Sequence, residues 1–274
     1  LGPTSCNSYD CIDLYNAGVL LITDDVTFGS NQGIEVANGE NAKILIANTK
    51  TLTFNHAFYN GSYGSSSNSY VLTINDESHA GKLHMTTSAL VEGSNYYWAF
   101  NDSTNGGLVV ANGTLQLDHY RNLTYDNTST YRSYLTMASG STLILNYTDT
   151  QSYVDLILQG ATVELLQTQT WYGNVTLSGT NTFNVATDKT WTTSSGSWTN
   201  ASGQTGAITK TGSGTLVLGN STSTWTGLTT LSAGTLRTAT NNAFGSSAGG
   251  VLVNGGVLDV RHTLADDITL NGGT

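Results

Sequence analysis

The stretch Ala207–Arg237, AITKTGSGTLVLGNSTSTWTGLTTLSAGTLR, contains one short unit followed by a copy of it. The first unit is Ile208–Leu218, ITKTGSGTLVL, and the second is Leu228–Leu236, LTTLSAGTL. Each unit has an apolar flank, a turn that contains glycine and a second apolar flank. The Gly-Thr-Leu triplets at 214–216 and 234–236 are in register, about 20 residues apart. The stretch is therefore an internal repeat.

The repeat predicts two short strands around a turn in each unit. Val, Ile, Leu and Thr alternate on the flanks, so each strand has an apolar face and a polar face. We expect Gly214 and Gly234 to lie where the turn requires a positive φ. A single unit cannot bury its apolar face alone, whereas units stacked on one another bury it and pair the backbone amides between levels.

Weaker copies of the unit occur along the chain, at Ile34–Ile46, Val71–Met85, Leu108–Leu117, Leu135–Leu145, Leu156–Leu165, Val175–Val185, Val251–Val260 and Ile268–Thr274. The interval between Gly179 and Gly214 is longer than its neighbours and indicates an extra rung or a loop. The pattern predicts an all-β fold, a single-stranded right-handed parallel β-helix (β-solenoid) of about 12 rungs.

Two regions are expected: an N-terminal cap over residues 1–27 and a parallel β-helix over residues 28–274. The two cysteines, Cys6 and Cys11, predict a local disulfide in the cap, formed in an oxidising compartment. Half of a metal site with C-x4-C spacing is the alternative. The chain stops at Leu270–Thr274 in the first half of a repeat, so we expect it to be a C-terminally truncated piece of a longer protein.

The composition excludes several classes of protein. Charged residues make up 10% of the chain, and the formal net charge is −10. A nucleic-acid partner requires a basic stripe, and the sequence has none. No apolar run approaches the roughly 18 residues of a membrane-spanning helix. The single proline suits long ladders in which each backbone N–H donates a hydrogen bond.

Residues 206–218, GAITKTGSGTLVL, and residues 225–236, WTGLTTLSAGTL, resemble the autotransporter-associated β-strand repeat. This repeat is typical of passenger domains of type V secreted proteins of Gram-negative bacteria. The use of Tyr, Asn and Thr resembles the AIDA-type autotransporter adhesins.

The resemblance implies a signal peptide upstream, passage through the periplasm, and a C-terminal outer-membrane β-barrel downstream. It implies an outer-membrane-tethered passenger at the bacterial cell surface, or a secreted one. The implied function is that of a virulence factor in adhesion to host cells, extending to invasion, and in autoaggregation and biofilm formation. The implied partners are a host-cell receptor or glycan, a second copy of the chain lying antiparallel on another cell, and a dedicated glycosyltransferase. The alternatives are a passive stalk, or a β-helix that binds glycans or degrades polysaccharides.

Three aromatic segments, 59–70, 93–102 and 119–134, break the rung spacing. Longer segments in a solenoid are often loops on its binding face. Rigid amphipathic rings among Asn and Ser are suited to binding a partner, although they also suit a structural cover. The candidate ligand-binding residues are Tyr96, Tyr97, Trp98, Tyr120, Arg121, Tyr125 and Arg132.

Hydroxyl-rich corners are the candidate acceptors for the O-glycosylation that the resemblance implies. The candidates are Ser194, Ser195, Ser221, Thr222, Ser223 and Thr224. Four tryptophans at or near corners are expected to be half-buried covers of the stack, namely Trp171, Trp191, Trp198 and Trp225.

No enzyme, metal site or cofactor is expected. The five histidines have no ligand spacing. Glycoside hydrolysis requires two carboxylates that face one bond, but consecutive residues of a strand point to opposite faces. Neither Asp24-Asp25 nor Asp266-Asp267 is therefore a ready catalytic pair.

Overall fold

A computed structural model describes residues 10–14, 17–29, 32–36, 41–55, 59–60, 71–86, 107–119, 122–123, 133–148, 154–220 and 222–274. The chain forms two compact units, Leu1–Ser141 and Thr142–Thr274. Within the described ranges the secondary structure is β-strand, with no α-helix, and its paired strands run parallel. No described helix is long and apolar enough to cross a bilayer.

The short strands of the N-terminal unit form three parallel sheets, and the chain returns to each sheet in turn. In chain order they are β1 (Asp10–Leu14), β2 (Val19–Ile22), β3 (Val26–Phe28), β4 (Gln32–Val36), β5 (Ala42–Ile46), β6 (Thr51–Phe54), β7 (Tyr59–Asn60), β8 (Leu72–Ile74), β9 (Lys82–Met85), β10 (Leu108–Val110), β11 (Thr114–Leu117) and β12 (Tyr134–Met137). Sheet A contains β1, β4 and β7, sheet B contains β2, β5, β8, β10 and β12, and sheet C contains β3, β6, β9 and β11. From β1 to β9 the chain visits sheets A, B and C in turn three times, as a parallel β-helix requires.

On sheets B and C, alternate residues of the strands point into the coil and form columns. On sheet C, Leu52 pairs with Leu83 and Leu83 with Leu115, and all three are fully buried. The Phe28 and Phe54 rings of adjacent coils stack with their centroids 4.9 Å apart. The N-terminal unit therefore has a continuous apolar interior.

The C-terminal unit repeats this plan with more regular coils. Its strands are β13 (Thr142–Leu145), β14 (Asp155–Gln159), β15 (Thr162–Leu165), β16 (Gln169–Trp171), β17 (Val175–Val185), β18 (Thr190–Thr193), β19 (Trp198–Asn200), β20 (Gly206–Thr211), β21 (Thr215–Leu218), β22 (Thr229–Leu231), β23 (Thr235–Thr238), β24 (Val251–Val253), β25 (Val257–Asp259) and β26 (Ile268–Leu270). Sheet D contains β14, the first half of β17, and β19, and sheet E contains β13, β15, the second half of β17, β20, β22, β24 and β26. Sheet F contains β16, β18, β21, β23 and β25.

The predicted register of the repeat is confirmed. Thr215 pairs with Thr235 and Leu216 with Leu236, so the two Gly-Thr-Leu triplets lie on adjacent coils. The long interval between Gly179 and Gly214 reflects a change of corner. Gly179 pairs with Gly206 at the corner before sheet E, whereas Gly214 lies at the next corner, between β20 and β21.

Glycine is required at position 214 for a different reason from the one predicted. Gly234 has a φ of 71°, as expected, but the φ of Gly214 is not in the positive region. A Cβ atom on Gly214 would lie 2.2 Å from the carbonyl oxygen of Ala186 on the preceding coil. Close approach between coils therefore requires glycine at position 214, while backbone conformation requires it at 234.

The expectation of half-buried tryptophans is wrong. Trp171, Trp191, Trp198 and Trp225 are at most 1% exposed and lie inside the C-terminal unit. Their rings form a chain of contacts together with Phe183, with centroids 5.1 Å apart for Phe183 and Trp198 and 5.9 Å apart for Trp198 and Trp225. Trp171, Trp191 and Trp198 occupy inward positions of strands β16, β18 and β19, so these aromatic side chains build the core.

Polar side chains inside the coils satisfy the backbone at corners. Asn181 is fully buried, and its Oδ1 accepts hydrogen bonds from the N–H groups of Gly160 (2.9 Å) and Ala161 (3.0 Å). Lys210 is also fully buried, and its Nζ donates to the carbonyl oxygens of Gly212 (2.8 Å) and Ala233 (3.2 Å). Burial lowers the pKa of Lys210 to about 8.

Strands β1 and β2 lie within the predicted cap, and β3 crosses its boundary. The three strands pair in parallel with β4, β5 and β6. The boundary between residues 27 and 28 stays a prediction. Cys6 lies outside the described residues, so the disulfide with Cys11 also stays a prediction.

Candidate functional site

The predicted aromatic binding residues lie outside the described part of the chain. They are Tyr96, Tyr97, Trp98, Tyr120, Arg121, Tyr125 and Arg132. Their role in binding stays a prediction.

The hydroxyl-rich corners lie on one side of the C-terminal unit. Four segments follow successive strands of sheet F and lead to sheet D or sheet E. We call their described residues the loop face, namely 194–197, 219–220 with 222–228, 239–250 and 260–267. In the described residues β19 is the last strand of sheet D. Beyond β19, the loop-face segments occupy the place of that sheet, and loops rather than strands therefore form this side of the coil.

Hydrogen bonds between successive coils hold the loop face. The Oγ atom of Ser197 and the Oγ1 atom of Thr222 are 2.7 Å apart, and the amide of Thr224 donates to the Trp198 carbonyl at 2.8 Å. Asn220 accepts hydrogen bonds from both the amide and the hydroxyl of Thr222, each at 2.7 Å, and its Nδ2 donates to the Gly196 carbonyl. The two bonds between Asn220 and Thr222 are local, and such bonds favour a turn over a strand.

The described glycosylation candidates differ in exposure. Ser195, Thr222 and Thr224 are exposed and Ser194 is half-buried, whereas Ser223 is only 7% exposed. The Oγ of Ser223 accepts a hydrogen bond from the Trp198 amide at 3.2 Å. Ser221 lies outside the described residues.

A cavity of about 440 Å³ opens on the loop face. Three successive coils line it, with residues from 223–226, from 242–247 and from 265–266. The lining carries hydroxyl groups, the amide of Asn242 and the carboxyl group of Asp266. Its size is within the range of roughly 300–1,000 Å³ for small-molecule sites. The sequence showed that this corner is rich in hydroxyl groups, but not that three loops enclose a space.

Asp266 is the one ionisable residue that lines this cavity among the described residues. Its Oδ1 is buried and accepts no hydrogen bond from another described residue. Burial, together with the neighbouring charge of Asp267, raises the pKa of Asp266. A group that donates a hydrogen bond to this carboxyl would offset the cost of its desolvation.

Sheet E carries a second candidate surface. Its outward-facing column has a threonine on five successive coils, and we call this column the threonine file: Thr142, Thr162, Thr182, Thr209 and Thr230. All five side chains are half-buried. Parallel strands place the five hydroxyls about 4.8 Å apart along the sheet. The result is a regular row of groups that can both donate and accept hydrogen bonds.

A polar cluster in the N-terminal unit was missed from the sequence. His84 Nε2 lies 2.7 Å from Asp118 Oδ2, and Gln116 Nε2 donates to Asp118 Oδ1 at 2.8 Å. Lys82 donates to Gln116 Oε1 at 2.5 Å, so the cluster joins β9 to β11 across sheet C. Aligning GKLHM with GTLQL by their turn glycines, Gly81 and Gly113, would have placed His84 beside Gln116.

The acidic pair Asp24-Asp25 has a structural role. Asp24 Oδ1 lies 2.6 Å from Lys50 Nζ, and Asp25 Oδ1 accepts a hydrogen bond from the Thr51 amide at 2.7 Å. Both contacts join the segment before β3 to the start of β6 and the residue that precedes it. The two carboxylates therefore bind the next coil.

Residues 208–237 match the family model of the passenger-associated transport repeat. This is a repeat family of autotransporter passenger domains, and the match covers the two Gly-Thr-Leu units, from within β20 to within β23. No curated protein and no solved structure matches the chain significantly. The chain therefore carries a repeat of autotransporter passenger domains, the class of protein that the sequence resembles. Such passengers are located at the cell surface or secreted.

Proposed function

We propose that this chain is part of the passenger of a bacterial autotransporter adhesin. In this proposal a downstream outer-membrane β-barrel tethers it to the cell surface, where it binds host cells and other bacterial cells. The observation that carries the proposal is the match over residues 208–237, which coincides with paired coils of a parallel β-helix. The regular coils of the C-terminal unit support it, because stacked coils give a surface that repeats along the sheet.

The threonine file is the proposed contact surface for self-association between cells. Its five hydroxyls each contribute little, since one hydrogen bond adds roughly 1 kcal/mol net. A row of such groups on two antiparallel copies adds many weak contacts, which together hold two cells. The file carries no charge, so two copies can approach without repulsion along it.

The test displays the chain on Gram-negative cells through an outer-membrane barrel and measures how fast the cells settle. The variant changes Thr182, Thr209 and Thr230 to Glu, which places three like charges on adjacent coils of sheet E. The matched control makes the same three changes at the outward column of sheet F, at residues 190, 215 and 235. We expect the sheet E variant to settle slowly and the control to settle like the parent chain.

Equal settling of the two variants would contradict the role of the threonine file. Adherence to cultured host cells is measured on the same strains, because it tests host binding separately. A parent chain that promotes neither settling nor adherence would contradict the adhesin proposal and would favour a passive stalk.

O-glycosylation is proposed for the exposed hydroxyls of the loop face. Ser195, Thr222 and Thr224 are accessible to a transferase, whereas the Oγ of Ser223 is buried against the Trp198 amide. Intact mass and peptide mapping of the chain from its native host test this. Increments of heptose or hexose on the exposed residues, with Ser223 unmodified, are expected, and a mass equal to that of the bare polypeptide would contradict the proposal.

A further inference from the structure

We infer that the cavity on the loop face binds one unit of a neutral sugar. This inference deepens the proposed adhesin function. It rests on that function for the expectation that the sugar belongs to a cell-surface glycan. The binding itself is a property of the isolated chain, and a test on purified protein keeps it separate from adhesion.

The lining has the chemistry that a sugar requires. Sugar hydroxyls both donate and accept hydrogen bonds, and the hydroxyls of Thr224, Ser246 and Ser247 can do the same. Asn242 adds an amide that donates and accepts. Ala265 and Gly245 leave apolar surface between these groups, which suits the C–H face of a sugar ring.

Gly245 packs directly onto a buried indole. A Cβ atom there would lie 2.8 Å from Cδ2 of Trp225, and the φ of Gly245 is +82°. The residue therefore has no room for a side chain, and it leaves the cavity open above the core.

Backbone hydrogen bonds fix the positions of the cavity walls. The amide of Ser246 donates to the Trp225 carbonyl at 2.9 Å, and the amide of Asn242 donates to the Thr263 carbonyl at 2.9 Å. The Asp267 carbonyl accepts from the Val251 amide at 2.8 Å. Each wall is thus bonded to a neighbouring coil, and the cavity is formed before any ligand enters, as is usual for small-molecule sites.

The charges of the lining favour a neutral ligand that donates hydrogen bonds. Asp266 lines the cavity and supplies a carboxyl group, which can accept hydrogen bonds. No lysine or arginine is among the described residues that line the cavity, so an acidic sugar would have no counter-charge. A cation would have a single carboxylate ligand in this cavity, fewer than calcium sites provide. A sugar hydroxyl can donate to this carboxyl group without adding charge.

The experiment uses the purified full chain and an array of neutral and acidic saccharides, followed by calorimetric titration of the best neutral binder. The variant is Asp266→Ala, and the matched control is Asp267→Ala, which removes the same charge from an exposed neighbour outside the lining. A second variant, Ser247→Trp, fills the cavity from its exposed rim.

We expect neutral saccharides to bind the parent chain and the control alike. Asp266→Ala is expected to weaken binding at least about tenfold, and Ser247→Trp to abolish it. Asp266→Ala removes a desolvated carboxyl group, so the urea midpoint should not fall, which separates lost binding from unfolding. An array on which no neutral saccharide binds, or equal losses in Asp266→Ala and Asp267→Ala, would overturn the inference. If cells that display the Asp266→Ala variant settle normally, self-association is still assigned to the threonine file.

Discussion

Replacing Asn181 by alanine tests the polar corners that hold one coil to the next. Asn181 is fully buried on β17, where its Oδ1 accepts hydrogen bonds from the amides of Gly160 and Ala161. Its Nδ2 donates to the carbonyl oxygens of Ser178 (3.2 Å) and Gly179 (3.3 Å). The alanine variant leaves two amide donors of the preceding corner without a partner.

The expected loss follows from those two donors. A buried donor without a partner costs about 1–3 kcal/mol, and water that enters the vacated space recovers part of this. We therefore expect Asn181→Ala to lower the free energy of unfolding by about 2–4 kcal/mol. The matched control is Asn184→Ala on the same strand, where the side chain points outward, and its effect should stay within about 0.5 kcal/mol.

The assay is urea unfolding followed by tryptophan fluorescence. Four of the five tryptophans are buried in the C-terminal unit, so the signal reports mainly on the coils around Asn181. The midpoint and slope give the free energy when the transition is two-state. If the free energy of unfolding falls equally for Asn181→Ala and Asn184→Ala, the argument that the buried side-chain amide of Asn181 stabilises the corner is refuted.

Three further changes test other parts of the C-terminal unit. Trp198→Ala removes a ring at the centre of the aromatic chain and should cost about 3–5 kcal/mol, whereas Leu228→Ala, at an apolar residue that is 41% exposed, should change the urea midpoint little. Gly206→Ala places a Cβ 2.2 Å from the Cβ of Leu177 and should lower the melting temperature by several degrees, and an unchanged melting temperature would show that the coils are packed less closely. The folded-state pKa of Lys210 is about 8, below the unfolded value of about 10.4. Between these two pH values the unfolded chain binds more protons than the folded chain, so the free energy of unfolding should rise with pH. Lys210→Met should lack that rise, and urea midpoints for both chains at pH 7.5 and 10 provide the comparison.

The sequence was sufficient to predict the architecture. The alternation of Thr with Leu and Val, and the two Gly-Thr-Leu triplets, specify both the strand faces and the pairing of Thr215 with Thr235. This pattern is local and periodic, which is why it can be read without knowledge of the three-dimensional fold. The match over residues 208–237 rests on the same local signal.

The interior and the loop face were less accessible to prediction. Trp198 stands beside polar residues, and its ring points inward because it occupies the inward position at the start of β19. From the sequence, Lys210 is expected at the surface. Its position on β20 points inward, however, and its Nζ donates hydrogen bonds to backbone carbonyls of the next corner. The cavity depends on loops of three coils that are far apart in sequence, and no single segment carries a signal for it.

The spacing of the threonine file tests the central claim, that successive coils stack in parallel and in the register that aligns these threonines. Spin labels are attached to cysteines placed at pairs of file positions, and the distances are measured by pulsed and continuous-wave electron paramagnetic resonance. With about 4.8 Å per coil, Thr142 and Thr230, four coils apart, should have Cα atoms about 19 Å apart, and Thr182 and Thr230, two coils apart, about 10 Å. Label distances that increase with the number of coils would agree with the stacked register, and distances that do not follow the coil number would contradict it.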